Sequence, residues 1–250
     1  MNIDLLLPTS LSEIPLSRYQ EFIEMKEASN DDEFIAQKMI QIFCGIKLSE
    51  TRKIKMKDLN DLIVHFTRVF NEKPKLIRQF KIKNIQFGFI PKLDEITFGE
   101  YVDLENHLQN WKNYHKAMAV MYRPITDKNG YNYSIRDYEP NEDMQDLMKF
   151  APLDVAISSS LFFLTLGNEL LSLTINYLQK ELKTMISSSN IANAKISPSN
   201  GDGTIASMHL LQEILPSLTK LQNTDLLNAS PISPLKNKKT KLKQTKLNNK

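Results

Sequence analysis

IQFGFIPKLDEITFGEYVDLENHLQNWKNYHKAMAVMYRPI, residues 85–125, reads as strand, turn, helix, helix, strand, and the rest of the chain is organised around it. It contains Gly88 and Gly99 of the 7 glycines, the single Trp111, two of the four histidines and a dense aromatic set. Gly88 inside a β-rich run marks a bulge or a close backbone approach. Thr97-Phe98-Gly99-Glu100 fits a capping box: the Thr hydroxyl accepts from the third amide and the Glu carboxylate reaches back to the Thr amide. The helix that follows carries Tyr101, Leu104 and Leu108. Asn110 offers a second cap, and Trp111 to Tyr122 forms the next helix, with Tyr114, Met118 and Met121 along one side. Ala117 and Ala119 permit close packing there, and Arg123-Pro124 stops the helix.

Working outward toward the N-terminus, residues 77–83 form a second β-rich run. Phe80 and Ile82 alternate with Gln79, Lys81 and Lys83, so the two runs make a hairpin turning at Lys83-Asn84. Three helices precede it. The first starts near Ile14-Pro15, where proline loses no needed donor, and packs through Leu16, Tyr19, Phe22 and Ile23. The second is capped by Asn30, with Asp31, Asp32 and Glu33 favouring its positive end. It buries Phe34, Ile35, Met39, Ile42 and Phe43 and stops at Gly45. The third spans about 57–70, with Leu59, Leu62, Ile63, Phe66 and Phe70 inward.

Toward the C-terminus, residues 125–138 form another hairpin. Asp127-Lys128-Asn129-Gly130 is its turn, since Asn-Gly tolerates positive φ. Asn141-Glu142-Asp143 opens a short helix, and the longest helix, 153–185, follows Pro152. Its near all-round apolar stretch Leu161-Phe162-Phe163-Leu164 marks its middle as the central buried element. Residues 187–204 are Ser/Asn/Gly-rich and read as a flexible linker. Residues 205–222 form a short amphipathic helix interrupted by Pro216, and 223–250 a disordered Lys-rich tail. The expected architecture is α+β and mainly α: residues 1–186 are a helical bundle around one long C-terminal-side helix, with two short β-hairpins.

Hydrophobic content of 41% and charged content of 24% are ordinary for a globular chain of 250 residues. The net charge of +3 is uneven. Residues 236–250 hold 7 lysines and no acid, leaving 25 basic against 29 acidic residues elsewhere. Cys44 is the only cysteine, so no disulfide can form within the chain. MNIDLLLPTS lacks the basic start of a signal peptide. The most apolar segment, 155–168, is bounded by Asp154 and Glu169 and is too short to span a bilayer, which takes ~20 residues. The expectation is a cytosolic protein with no membrane contact.

Catalytic patterns are missing from the sequence. His65, His107, His115 and His209 form no HExxH or Cys/His cluster, so structural or surface roles outweigh metal ligation. Glu100 and Asp103 share a helix face and could do acid–base work in a pocket, but a capping box and a helix dipole explain acids there better. Cys44 on an apolar face reads as an inert thiol. No GxxxxGK[ST] or GxGxxG occurs, and Ser158-Ser159-Ser160 lies inside a helix, where small residues permit close packing. No cofactor or metal is expected. Phe87, Phe89, Trp111, Tyr114, Tyr122 and Arg123 are the candidate partner-binding residues. Lys236, Lys238, Lys239, Lys241, Lys243 and Lys246 are candidates for contact with nucleic acid or an acidic partner, an attraction that salt would weaken steeply.

The run FGFIPKLDEITFGEYVDLE, then HKAMAVMYRPI, the Tyr-rich YNYSIRDYE and the helix PLD-x6-LFFLTLGNELL resemble small proteins from the structural gene blocks of tailed bacteriophages, the crAss-like phages among them. IPLSRYQEF and AQKMIQIFCGI fit the same pattern. The resemblance covers about residues 8–182 and rests on packing and turn motifs. It implies a non-enzymatic tail assembly chaperone or virion structural protein that binds other phage tail or baseplate proteins. A nucleic-acid-binding accessory protein acting through the lysine tail is the alternative.

Overall fold

The computed structural model describes residues 6–188. The 205–222 helix and the lysine tail expected from the sequence lie outside them, as does the expected 187–204 linker apart from its first two residues, which belong to the last helix. The described part is mainly helical, with eight α-helices and one four-stranded antiparallel sheet.

A 3-10 turn at Leu11–Glu13 leads to Pro15, the N-cap residue of α1 (Leu16–Ala28). Asp31, rather than Asn30, caps α2 (Asp32–Cys44): its carboxylate accepts from the amides of Glu33 and Phe34. Asp one residue closer to the helix reaches both free amides. Gly45 closes α2 in the left-handed region at φ 69°. The Arg18 guanidinium donates to the Ile42 carbonyl and ties α1 to α2. The single turn α3 (Leu48–Thr51) leads to α4 (Met56–Phe70). Leu62, Phe66, Val69 and Phe70 form the buried side of α4 at helical spacing. Phe43 meets Phe22, Phe66 and Phe70 with ring centroids 5.0–5.6 Å apart, the geometry of favourable aromatic pairs.

The first hairpin is β1 (Gln79–Ile82) and β2 (Ile85–Phe89), turning through Lys83 at φ 53°. The capping box at Thr97 forms as expected and starts α5 (Phe98–Leu108). Asn110 caps a 3-10 turn, Trp111–Asn113, that runs into α6 (Tyr114–Met121). The backbone then becomes extended at Tyr122, and β3 (Tyr122–Asn129) turns at Gly130 into β4 (Asn132–Ile135). The two expected hairpins both form, and they join into one sheet because β2 pairs with β3, setting Phe87 opposite Pro124, Gly88 opposite Arg123 and Phe89 opposite Tyr122. That join spans a two-helix excursion, and local alternation carries no record of it.

Asn141 caps α7 (Glu142–Met148), and α8 (Leu153–Ser188) follows. The expectation that its middle is the central buried element is corrected. Its first turns are the buried ones: Leu153, Val155, Ala156, Ile157, Ser158 and Ser159. Leu161, Phe162 and Phe163 only line the margin of the core, where both phenylalanines meet Phe89. The base of α8 is pinned by buried hydroxyls. Ser159 Oγ lies 3.0 Å from Tyr114 Oη, and Ser158 Oγ accepts from the Ile77 amide at 3.2 Å. The opening residues clasp the same place, since the Leu153 amide donates to Ile14 O at 2.8 Å and the Leu16 amide to Ala151 O at 2.9 Å.

The expectation that no segment has membrane length is also corrected. Residues Leu153–Glu181 form a helix long and apolar enough, by length and composition only, to cross a bilayer, at mean hydropathy 1.3. Glu169 ends the apolar run in sequence without ending the helix. The part with the Ser158 and Ser159 contacts is enclosed by protein, so it does not face lipid.

Candidate functional site

Two features of the described residues remain after the core is accounted for: a cleft beside α5, and the outer half of α8.

The cleft starts from the capping box. Glu100 Oε2 accepts from the Thr97 amide at 2.7 Å, while Oε1 lies 2.6 Å from Arg123 Nη2. Both side chains are almost wholly buried, so the charges are held out of water as a pair. The guanidinium lies over the Tyr138 ring, 5.9 Å from its centroid, a cation–π arrangement. Tyr138 in turn donates to Asp103 Oδ2 at 2.6 Å. Arg123 Nε finds no hydrogen-bond partner among the described residues. Above this row opens a cleft of about 490 Å³, lined by Pro91, Lys92, Glu95, Tyr133, Arg136 and Asp137 among others.

Four of the polar side chains at the cleft, Glu100, Arg123, Tyr138 and Lys92, are already engaged. Glu100 is neutralised by Arg123 and saturated by its own cap. Burial, then the bond to Asp103, pushes the Tyr138 hydroxyl far above its ordinary value. The hydrogen bond to Glu95, at 2.6 Å, raises the Lys92 ammonium. A general acid or base works best with its pKa near the working pH, and these two shifts run the other way. Elsewhere, burial raises the Cys44 thiol to about 11, out of the range of a reactive thiolate. No group of three or more His, Cys, Asp or Glu that could hold a metal occurs among the described residues.

The partner-binding residues expected from the sequence are mostly core. Phe87, Phe89, Tyr114 and Tyr122 are fully buried, which corrects the expectation that they offer an exposed aromatic surface. The reason is the β2–β3 join: Phe80 and Phe87 stack at 5.5 Å, and Tyr122 meets Phe80 and Phe89 edge-on at 5.1 and 5.2 Å. Trp111 is half-buried, stacked on Tyr114 at 4.6 Å and edge-on to Tyr19. Arg123 is spent on Glu100. Lys236, Lys238, Lys239, Lys241, Lys243 and Lys246 lie outside the described residues.

Exposed large apolar side chains occur at several places among the described residues, Met56, Phe98, Tyr131 and Phe150 among them, and three follow one another on α8. Leu170, Leu173 and Tyr177 are 56%, 65% and 62% exposed. With the half-buried Leu166 they recur at steps of four, three and four residues, the spacing of a seam that pairs with another helix. The signal was present in the sequence, but it begins where Glu169 interrupts the apolar run.

Comparison of the chain with protein-family models, curated proteins and solved structures found no match.

Proposed function

We propose that this chain is a non-enzymatic assembly protein of a tailed bacteriophage, which holds another tail or baseplate protein against the outer face of α8. The observation that carries the reading is the Leu170, Leu173 and Tyr177 stripe, standing in solvent on a helix rooted in the core. Apolar side chains in a 4-3 rhythm suit an amphipathic helix of the partner, and a tyrosine among leucines provides an aromatic anchor with a wet end. The resemblance of residues 8–182 to phage structural-block proteins supports the choice of partner.

Co-expression of the full chain with each tail and baseplate protein, followed by affinity purification, tests the reading. The wild-type chain is expected to retain one of them. The variant L170D/L173D/Y177D, with unchanged circular dichroism, is expected to retain it at least tenfold less. Equal retention by the variant, or no retention by the wild type, overturns the reading. Mass spectrometry of purified virions then separates a structural part, present in particles, from a chaperone, absent from them.

A further inference from the structure

The four-stranded sheet has two faces, and only one is buried against the core. Phe87, Phe89 and Tyr122 are on that inner side, where Phe89 meets Phe162 and Phe163 at the base of α8. Side chains alternate along a strand, so the residues next to these face outward. Gly88 and Arg123 stand opposite each other on the outer face, where Arg123 is held by Glu100 of α5. Toward the hairpin turns the outer face is open. There Gln79 Oε1 accepts from Gln86 Nε2 and from Lys128 Nζ, both at 3.1 Å, which places side chains of β1, β2 and β3 on one surface. Lys81 shares it, because Lys81 pairs with Gln86. Tyr133 pairs with Lys128 and sets its ring against Gly88, and the Arg78 guanidinium approaches the Tyr133 hydroxyl.

This surface is cationic. Arg78, Lys81, Lys83 and Lys128 are exposed, and none of them forms an ion pair among the described residues. Residues 73–92 hold six basic side chains and no acid, whereas the rest of the chain before the lysine tail is acidic on balance. Asp127 is the one acid in the four strands, and alternation turns it away from the side that Lys128 occupies. Lys81 on β1 and Lys128 on β3 stand two strands apart, about 10 Å. Cations spread in this way match a ligand that carries its charges in series, and their mutual repulsion is relieved when such a ligand binds. Tyr131, in the turn that follows Lys128, is wholly exposed.

We propose that the outer face of the sheet binds single-stranded nucleic acid, with Arg78, Lys81, Lys83 and Lys128 on backbone phosphates and Tyr131 stacked on a base. Unpaired bases present flat π-faces that an exposed aromatic ring can cover, while neighbouring cations track the phosphates. An acidic peptide would use the cations and leave Tyr131 without a role. A duplex keeps its bases stacked inside. The surface is separate from the Leu170, Leu173 and Tyr177 stripe and does not involve the lysine tail, so it stands or falls by itself.

Fluorescence anisotropy with a labelled oligothymidylate of about 15 nucleotides tests the proposal. The full-length chain is used with the seven lysines of residues 236–250 changed to Gln, so that the tail cannot supply the binding. This chain is expected to bind, and K81Q/K83Q/K128Q is expected to bind at least tenfold more weakly. The triple variant should also lower the slope of log affinity against log salt by about 2, for three lost phosphate contacts at roughly 0.7 each. Y131A is expected to lose at least fivefold on the oligonucleotide and nothing on inorganic polyphosphate. All variants lie in exposed positions and are expected to keep the parent circular dichroism. No binding by the tail-neutral chain overturns the proposal, as does binding that the triple variant leaves unchanged. Equal affinity for poly-glutamate of matched charge, or for a duplex of the same length, overturns it by assigning the surface to another occupant. A Y131A loss of the same size on polyphosphate overturns the stacking role.

Discussion

Gly88 occupies a place where no side chain fits. A Cβ there would lie 2.5 Å from the Tyr133 ring. The ring cannot simply swing away, because Tyr133 Oη donates to Phe89 O at 2.7 Å. Gly88→Ala is therefore expected to cost about 1–3 kcal/mol through overpacking, read as a lower urea midpoint at unchanged slope. The Glu100–Arg123 pair allows a second test. Arg123→Ala leaves a buried carboxylate without its cation and should cost about 3–5 kcal/mol. The double variant E100Q/R123M should lose clearly less than the sum of E100Q and R123M, since neither charge is stranded. Additivity in denaturant unfolding would show that the two charges do not depend on each other. His115 gives a pH dependence. Burial, then Lys149 and Lys116, lower its pKa from 6.5 to about 4, with Asp146 opposing. Its Nδ1 lies 3.0 Å from the Gln20 amide nitrogen, as suits an unprotonated ring. The unfolded chain thus binds the proton more readily, so this contribution is full above pH 6.5 and is lost as pH falls toward 4. The loss amounts to roughly 3 kcal/mol. His115→Gln should flatten the slope of unfolding free energy between pH 4 and 6.5, and an unchanged slope would move the effect to another group.

Among the elements, those with local chemistry were legible in the sequence and those made by distant pairing were not. The Thr97 capping box and the Gly45 stop use side chains and backbone within four residues of one another, and both stand where the pattern put them, whereas the second hairpin turns at Gly130-Tyr131 instead of over Asp127–Gly130, because Asp127, Lys128 and Asn129 pair with Ser134, Tyr133 and Asn132. The β2–β3 join brings Gly88 opposite Arg123, 35 positions apart, and its only trace in sequence was a glycine that needed an explanation. Missing that join misplaced the candidate site. Aromatics that looked like surface became the seam between the two hairpins, and Arg123 became a buried ion-pair partner. On α8 the error ran the other way. The apolar density at Leu161-Phe162-Phe163-Leu164 suggested a buried centre, but a helix is buried where its neighbours are, and those gather around Ser158 and Ser159. The exposed stripe beyond carries its own prediction. L170D/L173D/Y177D should leave the unfolding midpoint within about 0.5 kcal/mol of wild type, because surface substitutions remote from the core rarely do more. A larger loss would mean that the stripe is packed within the protein.

At the scale of the molecule, the described residues form a body with a long helix leaving it. The body rests on one core shared by α1, α2, α4, the sheet, α6 and the base of α8. Two aromatic groups contribute to that core: Phe22, Phe43, Phe66 and Phe70 from the helices, and Phe80, Phe87, Phe89 and Tyr122 from the sheet. A molecule built this way separates rigidity from exposure, since the packed body fixes the direction of α8 while its outer turns hold Leu170, Leu173 and Tyr177 in solvent. The clasp between the start of the chain and the α7–α8 junction has a further effect. Ile14 O and the Leu16 amide hold the two residues on either side of Pro152, so the mast is stepped into the opening turn of the polypeptide. Replacing Ile14 with Pro-Gly, or inserting residues there, should loosen α8 at its foot and let its far end sweep, even with every side chain of the helix intact. Paired spin labels at Lys112 and Asn176 would register that as a broadened distance distribution, and a tag placed at the front of the protein could dull whatever its other extremity does.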